Sequence, residues 1–304
     1  MANTPPRSSS SQTLGLVAIL LTVLCWAFAA NVAFDLFTTG INPLELAGAS
    51  AMITTFGLAI VHCFWSCGQA QPMNLKQFVL GGILVLLVAA DYVAIQQLPV
   101  AIAIVLLFTS PILVVLWTAL AAHRIPSRSV LMALALSILG VVLVSKLLES
   151  RLEQVNWFGI GIGLITAGCF AAYVILSEQL VETGEPVGIL LKTYAVASLF
   201  WLAYQLTQGL PLNLLSPNHF SKVLVVGIVG NLLPYLMFLW SIQRVNAERA
   251  AIVATLEPLV AAILAWLWFG QTLTLLQIIG GVLIMSAVTV LQLKEAESVQ
   301  VQRP

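Results

Sequence analysis

Two carboxylic acids lie inside long apolar stretches of this sequence, where a charged group is costly. Glu257 falls near the middle of the apolar stretch 246–269 and directly precedes Pro258. A charge at the centre of a membrane-length helix costs about 2.5–3.5 kcal/mol on insertion scales. Proline removes a backbone hydrogen bond and exposes a carbonyl one turn earlier. If Glu257 faces a cavity it can bind a cation, an amine or a proton. The alternative is a protonated acid that hydrogen-bonds a neighbouring helix.

Asp91 is the second acid of this kind. It lies toward the end of the apolar stretch 75–97, with Tyr92 beside it and Gln96 about one turn further on. Near the membrane surface it could simply be hydrated in a vestibule, without a direct role. Glu257 and Asp91 are the candidate ion-coupling residues.

Aromatic and amide side chains near the middle of several stretches could wall a cavity. Trp26 and Phe170 occupy equivalent deep positions and could stack on a flat or apolar solute, the alternative being plain helix packing. The candidate substrate-binding residues are Trp26, Asn31, Tyr92, Phe170, Tyr173, Asn231, Tyr235 and Trp240. The candidate helix-breaking or hinge residues are Pro111, Pro234 and Pro258.

The elements that position these residues are predicted to be membrane-spanning helices. The chain is 60% hydrophobic and only 8% charged, with a mean hydropathy of +1.03, too apolar for a soluble globule. A spanning helix needs about 20 apolar residues. The predicted spans are 14–36, 43–66, 75–97, 100–122, 128–147, 156–180, 186–208, 219–243, 246–269 and 273–293. The sequence therefore predicts an all-α integral membrane protein with ten transmembrane helices.

The distribution of lysine and arginine predicts the orientation of these helices. With the N-terminus inside, nine basic residues fall at the cytoplasmic side and three outside. The inner set is Arg7, Lys76, Arg124, Arg128, Lys192, Arg244, Arg249, Lys294 and Arg303, and the outer set is Lys146, Arg151 and Lys222. Residues 1–13 and 294–304 are then cytoplasmic tails, in a plasma or inner membrane. The formal net charge is zero and there is no basic cluster, which excludes nucleic-acid binding.

The chain contains two related copies of one segment. Gly15 and Cys25 recur 144 residues later as Gly159 and Cys169, and Pro111 recurs 147 residues later as Pro258. The copies are 14–147 and 156–293, with five predicted spans each. An odd number of spans makes the second copy enter the membrane from the opposite side, so the repeats are inverted. Inverted repeats suit alternating access around a midplane site. The alternative is a duplication kept as a scaffold.

One stretch resembles a known family. The segment LEPLVAAILAWLWFGQTLTLLQIIGGVLI, from Leu256 to Ile284, is similar to the signature of EamA-type members of the drug/metabolite transporter superfamily. The sequence departs from that signature at Gln271, and the first copy has His123 and Arg124 at the equivalent turn. The resemblance implies export of small metabolites such as amino acids or xenobiotics through a central cavity. It does not identify the solute.

The sequence predicts neither an enzyme nor a bound cofactor. It has no nucleophile–base arrangement, no cofactor motif and no phosphate-binding P-loop, so an ATP-driven motor is excluded. His62, Cys63 and Cys67 have a spacing that could ligate a metal from one helical face, but they end an apolar span and are interpreted as membrane-embedded filler. No metal site is predicted.

These patterns favour a secondary active transporter with Glu257 as the candidate proton-coupling group, and the resemblance implies that it is an exporter of small organic metabolites. One alternative is an uncoupled facilitator or exchanger. Another is an intramembrane lipid-handling protein or enzyme, which would need a reactive pair at one depth or a lateral polar groove. The predicted partners are a small-molecule solute and the lipid bilayer. Small residues such as Gly140, Gly280 and Gly281 allow close helix packing or a homodimer contact.

Overall fold

In the residues that the computed structural model describes, every regular secondary-structure element is a helix. The described ranges are residues 9–65, 72–98, 100–123, 125–145, 147–149, 156–182, 184–209, 211–270 and 272–301. Several residues used in the sequence predictions lie outside them or have side chains that are not described. These are Arg7, Cys67, Gln96, Arg124, Lys146, Arg151, Gln271, Lys294 and Arg303.

Thirteen α-helices are described, together with one π-helical segment and two short 3-10 turns. The α-helices are α1 (Ser9–Thr38), α2 (Pro43–Trp65), α3 (Leu75–Gln97), α4 (Val100–Leu107), α5 (Ser110–Ala122), α6 (Arg128–Val144), α7 (Trp157–Val181), α8 (Pro186–Gln208), α9 (Pro217–Val225), α10 (Leu233–Ile242), α11 (Ala247–Ala254), α12 (Glu257–Phe269) and α13 (Leu275–Val301). The π segment, Val226–Leu232, joins α9 to α10, and the turns are Leu147–Glu149 and Leu212–Leu215.

In the described ranges, five single helices and three runs of shorter helices are long and apolar enough to cross a membrane. Eight candidate spans are found within the described ranges, and two shorter apolar helices, Arg128–Val144 and Leu275–Val290, lie at the two other predicted positions. The predicted bounds agree closely in the simple cases: the span predicted at 43–66 is Pro43–Trp65. The fourth, eighth and ninth predicted spans are each divided into shorter elements.

Two of these divisions are breaks at a proline. α4 ends at Leu107 and α5 begins at Ser110, followed by Pro111; α11 ends at Ala254 and α12 begins at Glu257, followed by Pro258. Proline has no N–H to continue the helical hydrogen bonds, but it is tolerated in the first turn of a new helix. A threonine satisfies one carbonyl at each break: Thr109 Oγ1 donates to Leu106 O, and Thr255 Oγ1 donates to Ile252 O, both at 2.6 Å.

The bounds of the helices around the two breaks recur at a constant distance along the chain. α4 and α11 both have 8 residues, and α5 and α12 both have 13. Each of the two later helices begins 147 residues after its earlier counterpart, from 100 to 247 and from 110 to 257. Both α5 and α12 are followed by a residue in the left-handed conformation, His123 (φ 49°) and Gly270 (φ 64°). The same local structure therefore occurs twice.

Helices from the two halves of the chain pack against each other. α1 contacts α10, α2 contacts α8, α3 contacts α7 and α6 contacts α13. The contact between α6 and α13 is close because it is made by glycines: a Cβ atom at Gly140 would lie 2.7 Å from the Gly280 carbonyl oxygen. The glycines that allowed either internal packing or a dimer contact thus pack within the chain.

Candidate solute-binding cavity

A cavity of about 420 Å³ lies between helices of the two halves. α1, α3 and α4 contribute to its walls from the first half, and α7, the π segment, α10 and α12 from the second. Eight of the predicted site residues line it: Trp26, Asp91, Tyr92, Phe170, Asn231, Tyr235, Glu257 and Pro258. Residues far apart in the sequence therefore meet at one place.

The first turn of α12 places Glu257 at the cavity. It is the first residue of that helix and is half-buried in the cavity wall. Its carboxyl group makes no hydrogen bond or ion pair with any residue that the structure describes. By their spacing, Ala250, Ala254, Glu257 and Ala261 would share one face of a continuous helix, but the helix breaks between Ala254 and Glu257. Ala250 and Ala254 are buried at 0% and 1% exposure, whereas Ala261 lines the cavity with Glu257.

Asp91 and Tyr92 enter the cavity from α3 and are also half-buried. The Tyr92 ring packs edge-on against Phe37 of α1, with ring centroids 6.1 Å apart. Asp91 and Glu257 line the same cavity. The described lining contains no lysine, arginine or histidine. The lining residues that can be charged near neutral pH are therefore, among those described, both acids.

Aromatic rings form one wall of the cavity. Trp26 packs against Tyr235 and Phe170, with ring centroids 5.4 Å and 6.5 Å away in edge-on geometries. Phe238 lies behind this wall, 5.5 Å from Trp26. Edge-on aromatic pairs are favourable contacts that also fix ring orientation. The equivalent residues Trp26 and Phe170 both pack against their neighbours and face the cavity.

The π segment brings Asn231 to the cavity. The backbone of the π segment packs closely against α2 and α1. A Cβ at Gly227 would lie 2.6 Å from Ile53, and one at Gly230 would lie 2.8 Å from Ala29. Thr54 Oγ1 donates to Gly227 O at 2.9 Å. π-helical turns are rare and are frequent at functional sites.

Tyr194 of α8 is a supporting residue that the sequence analysis missed. Its hydroxyl donates to Asn231 Oδ1 at 3.1 Å, and its ring packs edge-on against Tyr235 at 5.7 Å. Asn231 Nδ2 in turn donates to Val226 O at 3.1 Å. Both ends of this amide are therefore engaged in holding the wall. A tyrosine beside Thr193 in the middle of an apolar span was the available signal.

Five predicted site residues do not line the cavity. Asn31 is buried and donates to Ala27 O within α1, and Tyr173 packs behind Tyr235 at 5.6 Å. Trp240 stacks under the guanidinium of Arg244, 3.3 Å from its ring centroid. Pro111 is the second residue of α5, and Pro234 is the second residue of α10, where its carbonyl accepts from Thr22 Oγ1. These five residues also lie within the apolar stretches, but in the folded protein they contact other residues and do not line the cavity.

Apolar side chains that were not predicted as site residues also line the cavity. α4 contributes Ala103, Ile104 and Leu107, and α1 contributes Phe34 and Phe37. In a membrane helix, small and aliphatic side chains occur in cavity walls, in helix contacts and at the lipid surface. Their presence in the sequence therefore does not indicate which of these they line.

A second, larger hollow of about 550 Å³ lies between α12 and α13. Its walls are mainly apolar, and its polar members Gln277, Ser286 and Thr289 all hydrogen-bond to backbone. It holds no acidic or basic residue among those described. Its described polar side chains are therefore engaged within the protein.

Apolar helices of membrane length around an internal cavity with two carboxyl groups are the features of a membrane transporter. The sequence profile of the EamA-like transporter family matches residues 13–146 and 157–293. The chain belongs to this family of integral membrane transporters.

Similar proteins are known from archaea and bacteria. An uncharacterized transporter of Archaeoglobus fulgidus is 31% identical over 205 residues, which cover 67% of this chain and 72% of the relative. The threonine/homoserine exporter RhtA of Escherichia coli K12 is 26% identical over 273 residues, covering 88% of this chain and 87% of the relative. One solved crystal structure shares the fold, with a TM-score of 0.78 at 16% identity over 94% of this chain and 97% of the other.

Proposed function

We propose that this protein is a secondary active transporter that exports small organic metabolites by alternating access, with proton coupling at Glu257. The observation that carries the proposal is the cavity, where a carboxyl group stands at a helix break. In this proposal the chain has ten spans in two inverted five-helix repeats, 14–147 and 156–293, with cytoplasmic tails 1–13 and 294–304. Amino acids and xenobiotics are the solute classes, in keeping with the family and with the exporter RhtA among the relatives.

The arrangement of the broken helices supports alternating access. On one side of the breaks, α4 and α12 line the cavity. Their counterparts in the other copy, α11 and α5, pack against each other and against α7, and α11 contains five consecutive residues of at most 1% exposure, Ala250–Ala254. The same pair of elements is thus open on one side and closed on the other. If the two copies exchange these arrangements, the cavity opens to the opposite side.

The orientation determines which state this is. With both termini in the cytoplasm, α4, α12 and the C-terminal half of α1 lie in the outer half of the membrane. The structure then corresponds to an outward-open state, closed on the inner side by Trp26, Phe170 and Phe238.

Glu257 is the proposed coupling group because its carboxyl faces the cavity and has no described partner. A proton that binds one conformation more tightly than the other shifts their equilibrium by that difference in binding free energy and no more. If protons enter as the solute leaves, the proton gradient drives export.

The proposal is tested by flux measurements in proteoliposomes with an imposed pH gradient, using a panel of labelled amino acids and amines. We expect wild-type flux to rise with the gradient, and Glu257→Gln to lose this dependence while keeping its melting temperature. Glu248→Gln is the matched control, since Glu248 is half-buried outside the cavity lining.

Gradient dependence that survives in Glu257→Gln would refute the coupling role of this residue. Wild-type flux that never depends on pH would instead identify an uncoupled facilitator or exchanger. Absence of flux for the whole panel would count against the transport proposal itself.

A further inference from the structure

The charges around the cavity distinguish among the solutes that the proposed transporter could carry. Asp91 comes from α3 of the first copy and Glu257 from α12 of the second, and both face the same space. Both are acids, and the described lining has no basic residue to balance them. A bound solute therefore meets two carboxyl groups and no basic side chain among the described lining residues.

Four of the described basic residues are engaged outside the cavity. Lys222 pairs with Asp35, Lys76 donates to Gln179, and Lys192 donates to the Pro72 carbonyl. Arg244 lies over the Trp240 ring and donates to the Trp240 carbonyl at 2.8 Å. None of these four cations is among the described lining residues.

The neutral donors of the cavity do not replace a cation. Asn231 is the one amide in the described lining, and its two ends bind Tyr194 and the Val226 carbonyl. A carboxylate moved from water into this space would lose hydration without gaining an opposite charge, which costs several kcal/mol per ion. The cavity therefore disfavours a solute with a carboxylate.

The same walls favour an organic cation. The rings of Trp26, Tyr92, Phe170 and Tyr235 face the cavity, and aromatic faces attract ammonium groups while packing against an apolar body. The volume of about 420 Å³ lies in the range usual for small organic ligands. Carboxylates and aromatic rings together are a recognition set for an amine.

We infer that the solute of this cavity is an organic amine: a molecule with an ammonium group, an aromatic or aliphatic body and no carboxylate. Asp91 and Glu257 bind the ammonium group, and the aromatic wall contacts the body. The inference rests on the proposed transport function and narrows it to solutes that differ from the amino acids named for RhtA.

Binding to the detergent-purified wild-type protein by calorimetry tests the inference with three probes that share a phenyl ring. They are 2-phenylethylamine, L-phenylalanine and 3-phenylpropanoate. We expect the amine to bind at least about tenfold more tightly than phenylalanine, and phenylpropanoate not to bind. Benzyltrimethylammonium is added because its charge does not depend on pH, so any pH dependence of its binding comes from the protein.

Two variants locate the site. Asp91→Asn and Glu257→Gln should each weaken amine binding by about tenfold or more, while Glu248→Gln leaves it unchanged. Phenylalanine, threonine or homoserine binding as tightly as the amine would overturn the inference, as would failure of both cationic probes to bind. The comparison among the probes uses the wild-type protein alone, so it tests the inference even if a variant does not fold.

The outcomes for the inference and for the transport function are separable. Coupled flux of an amino acid without amine binding would refute the inference and leave the transporter intact. Tight amine binding without flux of any amine would refute the transport function and leave the site.

Discussion

The two broken helices of this protein have the same backbone and different chemistry. α4–α5 and α11–α12 match in length, in the position of the break and in the proline that follows it. The first residue after the break is Ser110 in one copy and Glu257 in the other. Ser110 is fully buried, whereas Glu257 faces the cavity. The break therefore occurs in both copies, but its first residue is a buried serine in one and a candidate binding residue in the other.

The third helices of the two copies differ as well. α3 is a continuous α-helix that brings Asp91 and Tyr92 to the cavity, while its counterpart is interrupted by the π segment that carries Asn231. Each copy supplies one acid, but from a different helix. The cavity is therefore asymmetric although the helix pattern repeats.

The largest effect is expected when the carboxyl group is moved to the first copy. Ser110 has 0% exposure, and its hydroxyl has no hydrogen-bond partner among the described residues. Ser110→Glu would bury a charge without a partner, at a cost of several kcal/mol. We expect no stable protein, measured as yield and melting temperature in detergent. Ser110→Ala is the control and should melt like the wild type; a stable Ser110→Glu protein would show that the two breaks are interchangeable.

A smaller loss of stability is expected where the last helices of the two copies cross. A side chain at Gly140 meets the Gly280 carbonyl at 2.7 Å and Ile284 at 2.6 Å. Gly140→Leu should therefore destabilise the fold by about 1–3 kcal/mol through overpacking. Gly82→Leu is the matched control, since a Cβ at Gly82 has no neighbour within 4 Å. Equal melting temperatures for both variants would contradict the close contact of α6 with α13.

Making the second break resemble the first should remove function and keep the fold. The first copy carries serine at this position of the same backbone, so Glu257→Ser should fold. We expect amine binding to weaken by about tenfold, because one of the two carboxyl groups is lost. Calorimetry and a melting curve on the same sample separate the two effects. Unchanged binding would place the site elsewhere.

The equivalent residues Ala103 and Ala250 should report the two sides of the transporter. Ala103 lines the cavity, whereas Ala250 lies on the packed side with 0% exposure. In a cysteine-free background, Ala103→Cys should react faster with a water-soluble maleimide than Ala250→Cys. A transported solute should change the two rates in opposite directions. Rates that rise or fall together would contradict an exchange of shape between the copies.

The smallest effect is expected for the ion pair that connects α1 to α9. Lys222 and Asp35 are each 40% exposed, and pairs of this kind contribute about 0–1 kcal/mol. Lys222→Gln should lower the melting temperature slightly at low salt and not at all at high salt, where exposed charges are screened. A large loss that persists at high salt would show that the pair holds the two copies together.

Much of the fold could be predicted from the sequence. Length and apolarity predicted helix bounds to within a few residues, as at 43–66 for Pro43–Trp65. Much less of the site could be predicted. Asn31 and Asn231 are both amides deep in apolar stretches, yet only Asn231 lines the cavity. The sequence contains no signal that separates them.

By itself, the sequence determined where the chain is helical, where proline breaks a helix, and that the pattern occurs twice. These are local properties: apolar length, a missing N–H and repeated residue types. Only the tertiary structure decided that Asp91 and Glu257 line one cavity, that Tyr194 holds Asn231, and that Ala250 is packed while Ala103 lines the cavity. Lipid tails and helix contacts are equally apolar, so a membrane helix has no hydrophobic stripe to mark its inner face. Which side chains face the cavity is decided by how the helices pack.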